Sequence, residues 1–106
     1  MAKFLFEASY TPEGAKGIIK DGGSARRAAI EKAVTGLGGR LEAFYFAFGG
    51  VDAFVIVDLP DNVTAAAMGL AVGQSGLAST KTVVLLTPEE VDAATKKSVP
   101  YRGPGH

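Results

Sequence analysis

Lys3 to Tyr10 alternates, with Phe4, Phe6 and Ala8 on one side and Leu5, Glu7 and Ser9 on the other, the period-two pattern of a first strand. Thr11 then offers a capping hydroxyl and Pro12 a proline at the first helical position, which predicts a short helix through Ile19. Asp21-Gly22-Gly23 interrupts it, and Ser24 caps a second segment from Ala25 to about Leu37 with Ile30, Ala33, Val34 and Leu37 on one side. Gly38-Gly39 ends that helix and leads into a second strand, about Leu41 to Phe48. Gly49-Gly50 is a hairpin signal that starts a third strand, Val51 to Leu59. Pro60-Asp61-Asn62 stops the strand and caps a helix of small residues ending near Gln74 to Gly76. Thr80 to Leu86 is a fourth strand whose Val83, Val84, Leu85 and Leu86 imply burial on both sides. Thr87-Pro88-Glu89-Glu90 has the form of a capping box opening a short polar helix to about Lys97, and "VPYRGPGH" follows as a proline and glycine tail.

The order strand, helix, strand, strand, helix, strand is that of an α+β fold of the ferredoxin-like, split βαβ type. Its four-stranded antiparallel sheet carries both helices on one face. The chain of 106 residues reads as one domain, residues 1–98, with residues 99–106 as the tail.

The hairpin "GGRLEAFYFAFGGVDAFVIVDLPD" is apolar on both faces. With a two-residue turn at Gly49-Gly50, Phe48 pairs with Val51, Ala47 with Asp52 and Tyr45 with Phe54. Phe44, Phe46, Phe48, Val51, Ala53, Val55 and Val57 then lie under the helices. Leu41, Ala43, Tyr45, Ala47, Asp52, Phe54 and Ile56 fall on the other face, and a one-residue slip would exchange the two sets. That second face has no helix of its own, so the economical cover is a second copy of the sheet packed against it by twofold symmetry.

Composition narrows the chemistry. Eleven basic and eleven acidic residues give no basic stripe for nucleic acid. The absence of cysteine removes disulfides, thiolate metal sites and cysteine nucleophiles, and the one histidine is His106 in the tail, so no metal or cofactor is expected. No apolar run resembles a signal peptide or membrane span, which predicts a cytoplasmic protein without membrane contact. The serines have no histidine base within the fold, and Gly36, Gly38 and Gly39 end a helix where a phosphate loop would open one.

"YTPEGAKGI" (Tyr10 to Ile18), an arginine at Arg26 or Arg27, "GGRLEAFY" (Gly38 to Tyr45), Gly49 with Asp52, "VIVDLPD" (Val55 to Asp61) and Thr80 together resemble the GYD domain family, small proteins related to the dimeric α/β barrels. The resemblance runs from the first strand through Glu90. It implies a ferredoxin-like subunit that associates through its sheets, and it implies no particular reaction. The Gly-x-Tyr-Asp pattern stands here as Gly49-Gly50-Val51-Asp52, so any role of that tyrosine's phenol does not carry over.

The hairpin register makes Asp52 and Tyr45 diagonal neighbours beside Phe54 and Ile56, either a polar end to an apolar pocket or a turn-capping carboxylate and a core aromatic. Lys16, next to Gly17 on the first helix, pairs with an anionic ligand or with Asp52, or is solvated. Of the adjacent Arg26 and Arg27 at most one faces a pocket, while Arg27 and Glu31 have ion-pair spacing. The candidate ligand-binding set is therefore Lys16, Arg26, Tyr45, Asp52, Phe54 and Ile56, with no catalytic residue assigned. The expected function is a homo-oligomeric small-molecule-binding protein. The alternatives are a cofactor-independent acid–base enzyme and a non-catalytic assembly module.

Overall fold

The strand that begins the chain becomes the middle of the sheet. In the computed structural model, which describes every residue from Met1 to His106, β1 (Ala2–Tyr10) pairs antiparallel with β3 (Ala53–Leu59) on one side and β4 (Ala78–Leu85) on the other. β2 (Arg40–Phe46) lies outside β3, giving the order β2-β3-β1-β4 of the ferredoxin-like α+β fold. The connections are α1 (Pro12–Asp21), α2 (Gly23–Gly36) and α3 (Asn62–Gln74), and α4 (Pro88–Thr95) follows the last strand.

Alternation decides which strand residues enter the core. Phe4 and Phe6 of β1, Val55, Val57 and Leu59 of β3, and Leu41 of β2 are buried against Ile30 and Val34 of α2 and Ala65 and Met68 of α3. Phe4 faces Val57 and Phe6 faces Val55 across the ladder. Burial of each large aliphatic or aromatic side chain contributes about 1.5–3 kcal/mol.

Helix starts follow local chemistry. Thr11 Oγ1 accepts the Gly14 N–H and Asp61 accepts the Thr64 N–H; at α4 the Thr87 side chain and Glu90 complete a reciprocal capping box. The expected Ser24 cap is absent: α2 starts two residues earlier, behind Gly22, whose φ of 89° suits glycine and which supplies no side-chain oxygen.

Three expectations for the strands need correction. The hairpin ladder stops at Phe46 and Ala53, and residues 47–52 form a loop closed by the Ala47 N–H to the Asp52 carbonyl; Phe48 therefore points into solvent instead of under the helices. Leu41 is buried on the helix side, because a bulge between Leu41 and Ala43 shifts the register and reverses its facing. β4 is an edge strand with Val83 and Val84 exposed in the single chain. α4 buries no residue, and from Pro88 onward every residue but Gly103 is exposed, so this arm extends a molecule measuring 56 × 33 × 22 Å.

Candidate functional site

β1 ends at Tyr10, opposite Ala78 of β4 and on the side occupied by the helices. Its backbone N–H donates to Asp52 Oδ2 at 2.8 Å, while the Asp52 N–H donates to the Ala8 carbonyl at 2.9 Å. Asp52 thus clips the 47–52 loop onto the end of β1. The Tyr10 ring in turn lies beneath Arg26, whose guanidinium carbon is 5.7 Å from the ring centroid, within cation–π range.

Arg26 enters from the first turn of α2. The break at Gly22 turns the chain so that Arg26 faces inward while Arg27 faces out and pairs with Glu31 at 3.4 Å. The Arg26 Nε is buried and has no hydrogen-bond partner in the chain. No carboxylate pairs with this guanidinium; the ion pairs are made by Lys3, Lys16, Arg27 and Arg40.

Beside Arg26 a cleft of about 400 Å³ separates α1, α2 and α3. Its walls include Ile18, Ala29, Ile30, Ala33, Ala71 and Val72, with Tyr10, Asp21, Arg26 and Ser75 as its polar side chains. A second void of about 30 Å³ lies deeper, between the helices and the sheet, and shares Tyr10, Arg26, Ile30, Met68 and Val72 with the cleft. Arg26 and Tyr10 therefore stand between an open cleft and the protein interior.

The sequence-derived set does not converge. Arg26 lines the cleft, but Tyr45 is on the opposite, helix-free face of the sheet and 71 % exposed, paired across the ladder with Phe54. Phe54 and Ile56 are half-buried on that same open face, together with Leu5, which pairs with Ile56. Asp52 is engaged with the Tyr10 amide and not with Tyr45. Lys16 is on the outer surface of α1, bonded to Glu13 at 3.1 Å, and reaches neither Asp52 nor the cleft. Tyr10 was missed, although continuing the alternation of Phe4, Phe6 and Ala8 by one step places it on the helix side.

Charge on the open face is concentrated at one end. Lys3 donates to Glu42 Oε2 at 2.8 Å and to Asp58 Oδ1 at 2.9 Å, and Arg40 donates to Asp58 Oδ2 at 2.9 Å. The hydrogen bonds that Lys3 donates to Glu42 and then to Asp58 raise its pKa above 10.5, while those from Lys3 and then Arg40 hold the Asp58 carboxyl below 3.8 against the opposing effect of burial. The bulge at Glu42 brings that carboxylate to Lys3. No group of three or more His, Asp or Glu side chains has metal-binding proximity, and no helix is long and apolar enough to cross a membrane.

The family model described as GYD domain matches residues 4–95. No curated protein and no solved structure matches the chain.

Proposed function

This chain belongs to the GYD domain family, and we propose that it acts there as a homo-oligomeric small-molecule-binding protein of the dimeric α/β barrel type. The observation that carries the binding reading is the cleft of about 400 Å³ between the helices, with apolar walls and a polar corner at Tyr10 and Arg26. Small-molecule sites have this make-up and this size, typically about 300–1,000 Å³. The ligand enters past Ala29, Ala33 and Ala71, which are open to solvent.

Support for self-association comes from the other side of the sheet. Leu5, Tyr45, Phe54 and Ile56 share a face that no helix covers, and a second copy packed face to face buries them. An acid–base enzyme has weaker support, because Asp52 is committed to a backbone amide and Lys16 to Glu13.

The non-catalytic assembly module is favoured by one further observation, the exposed α4 arm joined to the exposed edge strand β4. Native mass spectrometry separates the readings. An oligomer that carries added small-molecule mass, or acquires it from a metabolite extract, supports the binding protein. An oligomer that stays at its bare mass throughout supports the assembly module, and a monomer removes the dimeric barrel.

A further inference from the structure

We infer that the cleft binds an amphipathic monocarboxylate, with the Arg26 guanidinium on the carboxylate and the apolar body between α2 and α3. This rests on the small-molecule reading above and adds the chemical class of the ligand.

Arg26 carries the argument. It is the only cationic side chain lining the cleft, and its buried Nε–H has no acceptor in the chain. A buried donor left unpaired is costly, more so on a charged group, so an acceptor supplied by a ligand makes a large difference there. The Nε–H and the adjacent Nη–H of a guanidinium form a planar fork that matches the two oxygens of a carboxylate. A Lys at this place offers no such fork.

The surroundings restrict the charge and shape further. Asp21 also lines the cleft, so a second negative charge on the ligand meets repulsion, and one arginine balances one carboxylate. Away from that corner the walls are Ile18, Ala29, Ile30, Ala33, Ala71 and Val72, which suit a hydrocarbon chain or ring. Tyr10 is a positioning residue. Its ring holds the guanidinium from below, and its own place is fixed by Asp52.

The test uses the full-length ¹⁵N,¹³C-labelled protein, titrated with sodium octanoate below its micelle concentration and, in parallel, with 1-octanol. The expected result is saturable shifts of the Arg26 Nε–Hε resonance and of the Ala29, Ala33 and Ala71 methyls, with octanoate binding at least about tenfold tighter than octanol. Arg26→Met keeps the apolar stem and is expected to remove that preference while leaving octanol binding within about twofold. Arg26→Lys, which retains charge and serves if the methionine variant does not fold, is expected to fall between the two. Equal binding of octanoate and octanol with a stationary Arg26 resonance overturns the carboxylate inference but leaves the small-molecule reading standing. If neither compound moves the cleft resonances the carboxylate inference falls, and if a metabolite extract also adds no mass the small-molecule reading falls with it.

Discussion

The carboxylate of Asp52 accepts the backbone N–H of Tyr10 at 2.8 Å across 42 residues of sequence. One hydrogen bond thus ties the loop between β2 and β3 to the strand that ends beneath Arg26. The structural task of Asp52 needs no phenol at its neighbour Val51.

Asp52→Ala removes the acceptor and leaves the Tyr10 amide without its partner. A hydrogen bond to a charged group contributes about 1.5–3 kcal/mol, so stability falls by roughly that amount in urea unfolding. Asp52→Asn retains an acceptor and is expected to cost about half as much. In Asp52→Ala the Arg26 Nε–Hε resonance also shifts, because the ring beneath it has lost its anchor.

Gly14 and Gly17 are expected to respond in opposite directions. A Cβ on Gly14 runs into the carbonyl of Leu77, which accepts the Thr11 N–H, so backbone rather than a flexible side chain has to shift. Gly14→Ala therefore destabilises by about 1–3 kcal/mol. A Cβ on Gly17 meets nothing within 4 Å, so Gly17→Ala gains about 0.5–1 kcal/mol from helix propensity. Thermal unfolding of the two variants distinguishes them.

The charged end of the open face predicts an acid limit. Because the folded-state pKa of Asp58 is depressed below 3.8, its contribution is full above that value and is lost as pH falls through the folded pKa. The stability difference between wild type and Asp58→Asn, followed by urea titration at several pH values, is therefore constant near neutrality and shrinks below pH 3.8. Lys3 gives the opposite limit: its pKa is raised, so its contribution persists below 10.5 and disappears as pH climbs past the folded value.

Ile56→Lys places a charge in the middle of the uncovered sheet face, between Leu5 and Ala43. Under the proposed assembly the variant elutes as a folded monomer in size-exclusion chromatography with light scattering, while wild type elutes as an oligomer. A wild type that is itself monomeric at micromolar concentration removes the sheet-to-sheet interface.

What the sequence revealed was chemistry that acts within a few residues. Thr11, Asp61 and the Thr87/Glu90 pair cap the helices that the sequence assigns to them, and Arg27 and Glu31 meet at their four-residue spacing. The core faces of β1 and β3 follow from strict alternation. Leu41 was misplaced because one bulged residue reverses parity and leaves no mark in the hydrophobic pattern. The site was less legible for a related reason: Asp52 finds Tyr10 far along the chain, and only the phase of α2 after the Gly22 break decides whether Arg26 or Arg27 turns inward. Lys16 and Glu13 meet on the exposed surface of α1, a short-range pairing set by their spacing on the helix.

The bulge at Glu42 gives β2 one residue more than its ladder needs. Deleting that residue closes the bulge and leaves Leu41 opposite Val57 and Ala43 opposite Ile56, each on its present face; in β3, which has no spare residue, a deletion between Ala53 and Leu59 turns the strand inside out on one side of the cut. A single lost codon is therefore absorbed at the bulge of β2 and rewrites interior and exterior together in β3. The loop tip at Phe48 to Gly50 and the exposed tail after α4 carry no such parity, so insertions and deletions are expected to be absorbed in those places as well.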